Sequence, residues 1–177
     1  MATFSNQPLR QSSNLKVFLL KSKNQLLLQG PLGSYNYPIF LDLRFSRAER
    51  KLWLMKTSKT NLSVLGTAHV LLAQAMLGVL IGYRQQMNIV GIGYQVNLNN
   101  KTLVFKLGFS HVISILIPDS ISATCLKSRT LLLKSMNYQK LQNFSALLRS
   151  LKFPNPYKEK GIYYLDEPIL LKQGKKT

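Results

Sequence analysis

Carboxylates are scarce in this chain of 177 residues: six Asp and Glu stand against twenty-four Lys and Arg. That scarcity argues against most enzyme classes, because acid–base pairs and cation cages are built from carboxylates. The adjacent pair Asp166-Glu167 falls on an expected strand, whose alternation would send the two side chains to opposite faces. Histidine occurs twice, at His69 and His111, in different halves and with no Cys, Asp or Glu at ligand spacing. Cysteine occurs once. Cys125 therefore has no internal disulfide partner and no cysteine-based zinc site to join, and its apolar setting from Ile121 to Leu126 predicts a small buried hydrophobe. Leu65-Gly66-Thr67 and Gly91-Ile92-Gly93 lack the spacing of nucleotide-binding loops and read as a helix start and a strand bulge. No catalytic residue, metal or cofactor is expected, and the chain is not read as an enzyme.

Targeting signals are also missing from the reading. Met1 to Lys16 shows neither the pattern of a secretory signal nor the Arg-rich amphipathy of a transit peptide. Leu62 to Ile81 carries no Lys, Arg, Asp or Glu, and its length would suffice for a bilayer. A membrane-associated basic protein with a span at 62–81 is the alternative this raises. Against it, Ser63, Thr67, His69 and Gln74 interrupt the run, and Ala68, Leu71, Leu72, Ala75, Met76, Val79 and Leu80 recur at helical spacing. The expectation is a helix packed on a sheet, with no membrane span and no homo-oligomer.

What is abundant is positive charge. The formal net charge is +18, and 46% of residues are apolar, which is ordinary for a folded protein. The charge is spread along the chain: residues 1–82 hold ten basic and two acidic groups, and residues 83–177 hold fourteen and four. Self-repulsion of this size opposes compaction unless a polyanion neutralises it.

Periodicity and turn signals give the organisation. Strand character runs over Leu15–Leu20 and Gln25–Gln29 around a turn at Lys21–Asn24, then over Ser34–Phe40 and Lys51–Met55. The helix from about Asn61 to Ile81 follows, with Asn61 or Thr67 as its cap and Gly82 as its end. The second half repeats this plan. Met87–Leu98 reads as a strand in which Gly91 and Gly93 suit a bulge or a close backbone approach. Asn99-Asn100 turns it into Lys101–Leu107, and Gly108–His111 leads to Val112–Ile117. Thr130–Lys134 is a further strand, followed by a helix from about Asn137 to Lys152 and a last strand over Gly161–Leu170. The fold class is α+β: two similar small domains, 1–82 and 83–177, each an antiparallel sheet packed against one main helix.

Binding chemistry concentrates after the second helix. Lys158 and Lys160 sit on a loop stiffened by Pro154 and Pro156, which lowers its ordering cost. Gly161 would let the backbone come close to a phosphate or sugar. Tyr157, Tyr163 and Tyr164 can stack on a base or donate to phosphate, and Tyr163-Tyr164 reads equally well as one core and one surface ring. Arg149 and Lys152 flank the loop, and Lys172, Lys175 and Lys176 form a basic tail. About four to six phosphate contacts here would give steep salt dependence. Lys101 and Lys106 read as a solvated strand face, and Arg44, Arg47, Arg50 and Lys51 as a patch that either touches RNA or is solvated.

Pro154-Asn155-Pro156-Tyr157-Lys158-Glu159-Lys160-Gly161-Ile162 resembles the P-x-x-Y-K-[small]-K-G-[aliphatic] signature of the ribosomal large-subunit protein six family. Gly30-Pro31-Leu32-Gly33, Leu65–Leu72, Ile89–Tyr94, Leu107-Gly108-Phe109-Ser110-His111 and the basic ending are similar to further family segments in the same order. The resemblance implies two domains of one α+β type. It also implies binding to large-subunit ribosomal RNA, mainly through the second domain, among neighbouring ribosomal proteins and near the docking region of translation GTPases. It adds Ser110 and His111 to the expected RNA-binding residues. Four departures mark a divergent member: Glu159 replaces the family's glycine or alanine, Tyr163 a usual arginine, His69 an arginine near the helix entry, and Phe153 a usual proline. The Leu-, Asn-, Ser-, Lys-, Ile- and Tyr-rich composition, with the match beginning almost at Met1, suits an organelle-encoded protein. A mitochondrial ribosome is the preferred home, with a plastid or bacterial one as the alternative.

Overall fold

The computed structural model describes residues 8–20, 25–38, 42–46, 50–55, 62–168 and 170–174. The expected turn Lys21–Asn24, the cap Asn61, the patch member Arg47, and the tail residues Lys175 and Lys176 lie outside them. The chain divides into two compact units, Met1–Gly82 and Tyr83–Thr177. Each combines antiparallel sheets with one helix, so the fold is α+β.

In the first unit, β1 (Leu9–Arg10), β6 (Lys51–Met55) and β5 (Asp42–Ser46) form one three-stranded sheet, while β2 (Lys16–Leu20), β3 (Gln25–Gly30) and β4 (Gly33–Pro38) form another. The short β1 and β5 were not expected from the sequence: β1 is only Leu9–Arg10, and Asp42–Ser46, although it alternates polar and apolar residues, was read only for its basic patch. Helix α1 (Leu62–Leu80) places Leu72, Met76 and Val79 in a core with Leu15, Leu26, Leu28 and Leu52. Its length and composition alone would permit a membrane crossing, yet this stripe is seated on the unit's own strands. Thr67 is no cap: it lies inside the helix, with its hydroxyl donating to the Val64 carbonyl at 3.0 Å. Gly82, at φ +76°, ends the helix as expected, its N–H donating to the Leu77 carbonyl.

The second unit holds a four-stranded sheet in the order β11 (Ile121–Lys127), β12 (Thr130–Ser135), β7 (Tyr83–Val90), β13 (Gly161–Tyr164). A three-stranded sheet of β10 (Ile113–Leu116), β9 (Thr102–Lys106) and β8 (Gln95–Asn99) accompanies it. Helix α2 (Tyr138–Ser150) begins at Asn137, whose side chain accepts from the Lys140 N–H at 3.1 Å. Leu141, Phe144 and Leu148 of α2 pack with Met87, Ile89, Leu131 and Leu133 of the four-stranded sheet and with Leu103 and Phe105 of β9. Each fully buried leucine contributes roughly 2 kcal/mol by removal from water.

Several expectations need correction here. The single strand over Met87–Leu98 is two strands in different sheets, because the chain turns at Gly91-Ile92-Gly93-Tyr94. Gly93 has φ +74°, and a Cβ on Gly91 would strike the Tyr94 ring, so the close approach is to the chain's own aromatic side chain. The last strand stops at Tyr164 rather than Leu170, and Leu165 and Asp166 form a turn, so Asp166 and Glu167 are not on a strand. β11 was read only as an apolar setting for Cys125; a register shift between Cys125 and Lys127 breaks its alternation. Cys125 itself is half-buried against the core rather than fully enclosed, and that burial raises its thiol pKa above the ordinary range. The Asn99-Asn100 turn stands, with Asn100 at φ +51°.

Candidate nucleic-acid interface

The loop after α2 is organised by Asn155. Its side-chain oxygen accepts from the Tyr157 N–H at 2.8 Å and the Lys158 N–H at 3.3 Å. Its carbonyl accepts from the Glu159 N–H at 2.9 Å, and its own N–H donates to the Lys160 carbonyl at 2.9 Å. One asparagine thus closes a tight loop whose entry is fixed by Pro154 and whose second position is Pro156. Tyr157 is 58% exposed, Lys158 and Glu159 are exposed, and Lys160 is half-buried.

Glu159 sits at φ +55°, in the left-handed region that glycine adopts without strain. This gives a conformational reason for a glycine at that place in the family signature. Among the described residues Glu159 forms no ion pair with Lys158 or Lys160, so neither lysine is neutralised within the loop.

Gly161 makes a close approach within the fold itself. It is buried, and a Cβ there would lie 2.7 Å from both the Phe153 carbonyl oxygen and the Pro154 Cα. The close approach is to the loop's own beginning, which also receives the Ile162 N–H on the Lys152 carbonyl at 2.9 Å. Tyr164 packs on the core, with its hydroxyl 3.5 Å from that of Ser145, while Tyr163 faces the opposite side of the sheet.

Two further segments join this region. Phe109 stacks on His111 with centroids 5.9 Å apart, and the Lys152 ammonium lies 4.4 Å from the Phe109 ring centroid. That contact ties the turn carrying Ser110 and His111, both exposed, to the end of α2. From the other side, the Lys172 N–H donates to the Pro156 carbonyl at 3.1 Å and brings the tail back to the loop.

Arg149 is occupied differently. Its guanidinium makes a two-pronged ion pair with Glu167, the Nε–Oε2 arm at 3.1 Å, and lies 5.6 Å from the Phe153 ring centroid. It anchors the start of the tail. Asn155 and Phe109, which sequence reasoning left out of the site, are the residues that shape it. The Pro-Asn-Pro context was a signal for the first; nothing local signalled that Lys152 would seek the second. The exposed Lys101 pairs with Asp119 at 2.8 Å, which raises the lysine pKa and lowers that of the aspartate.

A family model for ribosomal protein L6 matches residues 90–165, the stretch that contains both the Phe109–His111 turn and the Asn155 loop. The chain is 32% identical to large ribosomal subunit protein uL6m of Reclinomonas americana, across 99% of this chain and 100% of that protein. It is 30% identical to uL6 of Mycoplasmoides gallisepticum, over 99% of this chain and 97% of the relative. Identity to uL6 of Chromohalobacter salexigens is also 30%, over 99% of both. With near-complete coverage at this identity, the chain belongs to the ribosomal protein L6 family and is a structural, non-enzymatic constituent of the large ribosomal subunit.

Proposed function

We propose that the chain binds large-subunit ribosomal RNA mainly through residues 83–177, and that the Asn155-organised loop is the principal contact. One observation carries this reading: Lys158 and Lys160 project from a proline-framed loop in which, among the described residues, no carboxylate neutralises them. The exposed Tyr157, the Phe109–His111 stack with Lys152, and Lys172 extend the same surface. Lys175 and Lys176 add charge to the tail. Gly161 acts less directly, by letting the loop close, while Tyr163 sits outside the loop on β13, paired with Asn88. Arg149 contributes by holding the tail through Glu167.

The site lies, in this reading, near the region where translation GTPases dock, as the family resemblance implies. A mitochondrial ribosome is the proposed home, supported by the likeness to a uL6m and by the composition; the likeness to two bacterial uL6 proteins keeps a bacterial ribosome as the competing location.

The test is binding of the full chain to large-subunit rRNA across a salt series. Lys158→Ala with Lys160→Ala should weaken binding and flatten the log–log salt slope by about 1.4 to 1.8, the effect of losing two phosphate contacts. An unchanged slope with the fold intact would remove the loop from the interface.

A further inference from the structure

Strand alternation gives the four-stranded sheet of residues 83–177 a second, open face. β7 turns Met87 and Ile89 into the core, and β12 does the same with Leu131 and Leu133. Arg84, Gln86 and Asn88 therefore lie on the far side, with Leu132 and Lys134 beside them. The register places Lys134 directly opposite Arg84, on the two central strands of the sheet. Both are exposed, and among the described residues neither meets a carboxylate. Of the four acids in this half, Asp119 is taken by Lys101 and Glu167 by Arg149, while Glu159 lies in the Asn155 loop and Asp166 in a turn.

Like charges directly across a strand pair destabilise it, so a free chain gains nothing from this arrangement. The same two cations become favourable when an anion straddles them. One strand over, Tyr163 pairs with Asn88 on this face, adding a phenol ring and an amide to the charge. A ring, an amide and paired cations on a sheet suit a nucleotide chain, with phosphate, ribose and base to offer, better than an acidic peptide.

We propose that this open face is a second RNA contact, distinct from the Asn155 loop, in which Arg84 and Lys134 together hold backbone phosphate while Asn88 and Tyr163 meet ribose or base. It rests on the RNA-binding reading above and extends it to a surface outside the signature loop.

The test compares the full chain, its Arg84→Gln/Lys134→Gln variant and its Lys158→Ala/Lys160→Ala variant. Each is titrated with large-subunit rRNA from low to moderate salt and melted without RNA. The sheet-face variant should lose about 1.4 to 1.8 from the salt slope while its RNA-free melting temperature stays level or rises, because a repulsive pair has been removed. A sheet-face variant that binds with wild-type slope and affinity overturns the proposal, including the case in which this face meets an acidic protein instead. If the loop variant is weakened in that experiment, the RNA reading itself stands. A wild-type chain without salt-dependent binding would overturn both.

Discussion

Arg149 and Glu167 face each other across eighteen residues of sequence, and their ion pair ties the last turns of α2 to the chain that leaves β13. The same carboxylate accepts the Tyr164 N–H at 3.4 Å. Both side chains are roughly three-quarters buried, at 29% and 26% exposure, so the pair is less screened than an ordinary surface bridge. Glu167→Gln should cost about 1 kcal/mol of stability, and a double-mutant cycle with Arg149→Gln should show coupling of similar size. Denaturant unfolding of the four forms checks this; strictly additive effects would mean the pair contributes nothing.

Glu159 pays a conformational penalty at φ +55° that glycine does not. Glu159→Gly should leave stability level or raise it by up to about 1 kcal/mol, whereas Glu159→Val should lower it by about the same amount. Because the glycine variant also removes a negative charge beside Lys158 and Lys160, its affinity for large-subunit rRNA should rise. Thermal melts and RNA titrations separate the two effects. A less stable glycine variant would contradict the conformational argument.

Gly161→Ala would put a Cβ 2.7 Å from the backbone of Phe153 and Pro154, where no flexible side chain can yield. A loss of at least about 2 kcal/mol is expected, because accommodation requires the 153–154 segment to move. The loop would move with it, so RNA affinity should fall as well. A variant of wild-type melting temperature would show that the contact relaxes freely.

Cys125 has its thiol pKa raised by burial. Near neutral pH less of it is thiolate than in an unfolded chain, so alkylation of the folded protein should be slower than that of the denatured one. The linkage has a definite sign. Burial of the neutral thiol contributes stability that is complete below the unfolded thiol pKa and is lost as pH rises through the higher folded value. Alkylation rates against pH, folded and in denaturant, measure this; coincident profiles would contradict it.

The sequence made some of these features legible and hid others for physical reasons. Helix α2 was readable because Leu141, Phe144 and Leu148 recur at helical spacing and Pro154 stops the run. The Asn99-Asn100 turn was readable because asparagine tolerates positive φ. The Arg149–Glu167 pair was not, since a partner eighteen residues away leaves no local periodicity. Nor was the division of Met87–Leu98, where apolar residues recur on both sides of the turn and only a change of phase, from Met87 and Ile89 to Ile92, Tyr94, Val96 and Leu98, marks it. Gly161 was noticed as a close-approach residue, but the 153–154 backbone it makes room for was not, because sequence shows the need for space and not what fills it. The opposition of Arg84 and Lys134 depends on strand register, which the whole of the intervening chain determines collectively.

The claim that residues 83–177 provide the main RNA contact is tested most directly by ultraviolet crosslinking within the assembled large subunit, followed by mapping of the crosslinked peptides. The account predicts rRNA crosslinks at Tyr157–Lys160 and at Phe109–His111. Crosslinks confined to residues 8–82, with none from 83–174, would contradict it.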